Sequence, residues 1–116
     1  MKVGPSVLYF LFLIPAMLPI LHQTAEVLKK DFNLPEIKEN ITEERLIEFL
    51  TPIIKQMLDR DFERLLQTCY RIDLGENVLK KILHESDSDL MAHDLAQSLV
   101  KRQVKKIETR RKYQNE

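Results

Sequence analysis

Apolar positions along this chain fall into three regimes. Residues 7–21 read VLYFLFLIPAMLPIL, a run without charge that follows Lys2. Residues 22–41 scatter Val27, Leu28, Phe32 and Leu34 among charged side chains and break at Pro35. From residue 42 onward apolar side chains recur at intervals of three and four, the spacing that gathers them on one face of an α-helix. No stretch alternates apolar and polar residues for long enough to predict a strand.

The third regime divides at its polar breaks. Thr42 offers an oxygen to cap a helix whose first turn carries Glu43 and Glu44, the charge sign favoured by the positive end of the helix dipole. Leu46, Ile47, Phe49, Leu50, Ile53, Ile54, Met57 and Leu58 then form its apolar face. Pro52 lacks an amide donor and disfavours helical angles at Thr51, so a kink is expected there, or a restart capped by Thr51. Asp59 and Asp61 mark the next start, ahead of Phe62, Leu65, Leu66, Cys69 and Tyr70 on one helical stripe that ends near Ile72.

Asp73 followed three positions later by Glu76 has capping-box spacing and predicts a helix carrying Val78, Leu79, Ile82 and Leu83, with Gly75 in its first turn. Residues 86–89, Ser-Asp-Ser-Asp, are a further break. Beyond it Leu95, Ala96, Leu99, Val100, Val104 and Ile107 lie on one side of the longest predicted helix, which runs from Leu90 to about Lys112. The fold class expected is therefore all-α, a small helical bundle of about four helices preceded by an apolar N-terminal segment. Its expected parts are residues 1–23 (apolar segment), 24–41 (a short helical turn and linker), 42–113 (helical domain) and 114–116 (tail), with residues 42–112 folding alone.

Charge changes this picture at one end. The 18 basic and 18 acidic side chains cancel, yet residues 101–116 hold seven of the basic and only two of the acidic ones. Lys101, Arg102, Lys105, Lys106 and Lys112 are expected on the face opposite the apolar stripe, continued by Arg110 and Arg111. Such a surface attracts phosphates, and nucleic acid, anionic lipid and an acidic protein all fit it. The simpler reading is a helix end charged to suit its dipole and its solubility. A neutral balance and the lack of interleaved aromatic residues put nucleic acid lower among the partners.

The N-terminal run has the basic start and apolar stretch of an export signal, but cleavage after Ala25 would put Gln23 where a small residue is wanted. As a membrane span, residues 4–23 are near the minimum length for crossing about 30 Å of hydrocarbon, and Pro15 and Pro19 would kink it. An uncleaved anchor, with the helical domain on the cytoplasmic side, is the first expectation. A signal peptide, a buried apolar arm and a mis-assigned start codon, which would leave a soluble cytoplasmic protein, are the alternatives.

The segments DFERLLQTCYRIDLGENVLKKIL, residues 61–83, and RQVKKIETRRKY, residues 102–113, carry a resemblance. With the Tyr-Arg-Ile-Asp step at residues 70–73, the Arg102-Gln103 pair and the basic-aromatic end at Tyr113, the chain resembles a family of short uncharacterised bacterial all-helical proteins. The resemblance covers roughly residues 42–113. It implies an intracellular helical domain without a known activity, and it brings no functional site. Residues 1–41 depart from the pattern, because such proteins often begin near the position of Thr42.

Candidate chemistry is sparse. His84 and His93 with Asp87, Asp89 and Asp94 have donors that suit divalent ions, but no two histidines stand at the interval that places two ligands on one helix face, so capping or solvation is expected of them. The single cysteine, Cys69, lies on an apolar stripe, where a thiol acts as a small hydrophobe. Tyr70, Arg71 and Asp73 are expected to fix a helix junction, with Arg71 pairing to Glu63, Glu76 or the linker. No phosphate loop, carboxylate pair or serine nucleophile motif is present. Catalytic, metal and cofactor sites and a small-molecule substrate are thus not expected. The function expected is non-catalytic protein–protein interaction, with a partner or in a homo-oligomer. Binding of nucleic acid or an anionic membrane through Lys101, Arg102, Lys105, Lys106, Arg110 and Arg111 is the alternative.

Overall fold

In the computed structural model, which describes residues 19–37 and 40–114, five helices are present and no strand. They are α1 (Ile20–Phe32), α2 (Glu43–Arg60), α3 (Phe62–Ile72), α4 (Glu76–Glu85) and α5 (Met91–Gln114). The long α5 is the hub: α2 makes the broadest pairing with it, and α1, α3 and α4 also pack on it. Leu95, Ala96, Leu99, Val100 and Ile107 on its inner side are closed from solvent, as are Leu46, Leu50 and Ile54 of α2.

The all-α class stands, with five helices among the described residues where about four were expected. The added element is α1, which occupies the segment read as a short helical turn and linker. Thr24, Ala25, Leu28 and Phe32 form its buried stripe, and Leu34 beyond it is buried too. The helical core therefore begins upstream of Thr42. The Thr24 hydroxyl donates to the Ile20 carbonyl at 2.8 Å, which satisfies a polar group that has no exposure to water. Residues 1–18, which hold most of the expected membrane segment, lie outside the described residues. Among the described residues no helix is long and apolar enough to cross a membrane.

Pro19, Ile20 and Leu21 line one shallow cleft with Asn40 and Ile41, whereas Phe32 lines another with Ile53 and Met57. Hence α1 and α2 start at the same end of the bundle and run side by side in the same direction. Asn33, in the left-handed conformation that ends α1 (φ 53°), turns the chain back toward the start of α2.

Thr42 caps α2 as expected, its hydroxyl oxygen accepting from the Arg45 amide at 3.1 Å. Pro52 does not restart this helix, which is continuous over eighteen residues. The donor that proline lacks would have met the Glu48 carbonyl, and both residues are exposed, so water can replace it. Thr51 stays inside the helix and donates its hydroxyl to the Ile47 carbonyl at 2.7 Å.

Candidate interaction surface

The junction after α3 departs from its expected form. Asp73 does not open α4. It closes α3 in the left-handed conformation (φ 65°), while its amide donates to the Tyr70 carbonyl at 3.0 Å and the Leu74 amide donates to the Cys69 carbonyl at 3.1 Å. These paired bonds satisfy the carbonyls that a helix end leaves open, with buried Leu74 sealing the turn. Gly75 takes the position before α4 at φ 98°, conformational space that other residues enter with strain.

This helix end recruits cations. Arg102 donates through Nε to the Asp73 carbonyl at 2.9 Å and through Nη2 to its carboxylate at 3.2 Å, and Lys106 donates to the Ile72 carbonyl at 3.2 Å. Residues four apart on α5 thus clamp the negative end of α3, as the helix dipole favours. Arg111 donates to the Gln23 side chain at 2.6 Å, tying the end of α5 to the start of α1.

The six basic candidates consequently do not share one free face. Lys101, Lys105 and Arg110 are exposed, as is neighbouring Lys112, while Arg102, Lys106 and Arg111 are partly buried and spend donors inside the bundle. Arg102 and Lys106 flank the apolar stripe toward α3 instead of opposing it. Gln103, within that stripe, is itself buried.

Helix α3 also splits the stripe expected of it. Leu65, Thr68, Cys69 and Ile72 face the core. Burial pushes the Cys69 thiol up to about 11 from 9.0 by desolvating its charged form. On the outer side Phe62 is 42% and Tyr70 60% exposed, with partly buried Leu66 between them. Residues 62, 66 and 70 succeed one another at intervals of four and so form one row along the helix. A second row, all exposed, runs beside it: Glu63, Gln67 and Arg71.

Arg71 finds its partner in the segment expected to be linker, donating to the Asp31 carboxylate at 2.5 Å. Arg64 reaches the Asp31 carbonyl at 3.4 Å, so α3 holds the last turn of α1 through two arginines. Arg60 and Arg64 line an open cleft of about 330 Å³ with Asp31, Phe32 and Met57, on the flank of α3 away from Leu66.

Elsewhere, the Ser86 hydroxyl donates to the Asp94 carboxylate at 2.7 Å and His93 stands 3.8 Å from the same group. Among the described residues no three His, Cys, Asp or Glu side chains gather as metal ligands would. Val78, Leu90 and Tyr113 are apolar and exposed, one to each helix or turn. Compared with known proteins, the chain matches no family model, no curated protein and no solved structure at a significant level.

Proposed function

We propose that this protein is a non-catalytic helical interaction module that docks a protein surface, a partner's or a second copy's, against the outer face of α3. The observation that carries this reading is the row Phe62, Leu66 and Tyr70, two exposed aromatic side chains on either side of a leucine that packs in part against the core, on a helix whose other face is used by the core. Exposed aromatic anchors at helical spacing are the usual means by which one helix captures another protein surface. The thin core adds support, because domains of this size bury only about 60–70% of their unfolded surface and gain stability by association. The thiol, buried and held protonated, is not a nucleophile near neutral pH.

Binding of nucleic acid or anionic membrane ranks lower, since three of its six basic candidates already serve the bundle. Attachment to a membrane through residues 4–23, with the helices on the cytoplasmic side, is a separate proposal that rests on the uncharged run at residues 7–21.

The test compares the wild-type chain with a Phe62→Gln/Tyr70→Gln variant, using circular dichroism to confirm an unchanged fold. Association, with itself or with copurifying protein, is expected to be lost in the variant. Association of undiminished strength would show that α3 is not the interface.

A further inference from the structure

We propose that the occupant of this face is a second copy of the chain, packed with α3 antiparallel to its counterpart about a two-fold axis beside Leu66. The proposal rests on the reading that the outer face of α3 is a docking surface, and it names the partner.

Two adjacent rows fit nearly the same symmetry, their centres Leu66 and Gln67 lying one residue, about 1.5 Å, apart along the helix. A two-fold interface must be self-complementary: where one residue meets another, the second meets the first across the axis. Phe62 and Tyr70 each stand four positions from Leu66, so an antiparallel pairing sets Phe62 on the partner's Tyr70 twice and Leu66 on its own copy. In the second row Glu63 and Arg71 each stand four positions from Gln67, with opposite charges at the two ends and an uncharged amide at the centre. Antiparallel helices related by a two-fold bring the same flank together, so each Glu63 faces the partner's Arg71 and the two Gln67 amides meet. A parallel two-fold pairing would instead place the two charged rows on opposite sides of the contact, so neither Glu63 nor Arg71 would gain a partner across it.

The surroundings permit this. Arg71 gives one N–H to Asp31, and its side chain is still 66% exposed, leaving a guanidinium that can engage a second carboxylate. Arg64 lies on the same flank as Arg71, its guanidinium drawn to the Asp31 carbonyl, while Arg102 and Lys106 are drawn to the far end of α3. The Glu63 row lies beside the apolar row on the side away from the core, where it forms the rim of the contact. An interface built on one helix of eleven residues lies toward the low end of the size range, under about 1,200 Å². The dimer is therefore weak and concentration-dependent.

The experiment uses the full chain. Sedimentation equilibrium over a wide micromolar range is expected to show a monomer–dimer equilibrium, and Glu63→Arg is expected to weaken it about tenfold by opposing two cations across the axis. Mixing Glu63→Arg with Arg71→Glu chains should restore association, since both contacts then pair opposite charges. Gln67→Cys is exposed and safe for the fold, and on mild oxidation it should form a covalent dimer, whereas Lys80→Cys on α4 should not. The native thiol, Cys69, is buried and does not interfere.

A wild-type chain that stays monomeric while binding some other protein through Phe62 and Tyr70 would overturn the self-association and leave the docking face standing. Self-association that persists in Phe62→Gln/Tyr70→Gln would overturn both. A dimer that does not cross-link at Gln67 would overturn the antiparallel arrangement.

Discussion

Arg102 holds Asp73 twice, through the backbone carbonyl at 2.9 Å and the carboxylate at 3.2 Å, across 29 positions of sequence. That side chain, together with Lys106, meets the negative end of α3 and ties this helix to α5.

This relationship separates the basic residues by role. Arg102→Ala is expected to lower stability by about 1–2 kcal/mol, the value of a hydrogen bond to a helix end plus a partly screened ion pair. Lys101→Ala and Lys105→Ala, on exposed positions of the same helix, should stay within about 0.5 kcal/mol. Urea midpoints for the three variants check this, and equal losses would contradict the clamp.

Asp73 supports a second comparison, because its left-handed backbone strains any residue with a Cβ. Asp73→Ala enters the left-handed region less readily than aspartate and loses the carboxylate contact, for a combined cost of about 1–2 kcal/mol. Asp73→Gly relieves about 1 kcal/mol of strain and should come out near neutral despite losing the same contact. Thermal melting of both variants is the measurement, and the order Gly above Ala is the expected result.

The third prediction concerns α1. Leu28 is wholly buried and Phe32 nearly so, and Leu28→Ala should cost about 2–5 kcal/mol and Phe32→Ala about 3–5 kcal/mol. Against a total stability of about 5–15 kcal/mol, cutting the chain to residues 42–112 is expected to abolish cooperative melting. That outcome reverses the expectation drawn from periodicity alone, and circular dichroism of the truncated chain decides it.

The fourth follows from the raised thiol. The unfolded chain loses the Cys69 proton near pH 9.0 and the folded chain only near 11, so rising pH favours the unfolded state. The stability linked to this thiol is fully present below pH 9.0 and declines as pH rises toward about 11. Its upper limit is about 3 kcal/mol, at roughly 1.4 kcal/mol for each pH unit. Cys69→Ala should lack that part of the decline when its urea midpoints across the range are compared with wild type. A thiol reagent at pH 8 should label the native protein only after unfolding.

Much of the fold was legible because long helices repeat their apolar spacing many times. The Thr42 cap, the polar break at residues 86–89 and the core stripes of α2 and α5 follow directly from the residues. Helix α1 was harder to read: two of its four buried positions are Thr24 and Ala25, whose small or polar side chains give little apolar signal. Asp73 misled for a different reason. An aspartate can cap the helix after it or, almost as readily as asparagine, take the left-handed turn that ends the helix before it. The basic end divided because Arg102 and Lys106 are drawn to carbonyls of α3, and only the tertiary fold brings those carbonyls near.

Pairing also reaches across nearly the whole described chain, for Gln23 and Arg111 share a hydrogen bond at a separation of 88 residues. The first and last helices thus close a ring, and the ring can be opened elsewhere. A circular permutant that joins residues 19 and 114 by a short flexible linker and begins within residues 86–89 keeps every helix intact. In that permutant the encounter of α1 with α5 becomes a local step instead of the longest loop closure, so refolding should speed up wherever that encounter limits the rate.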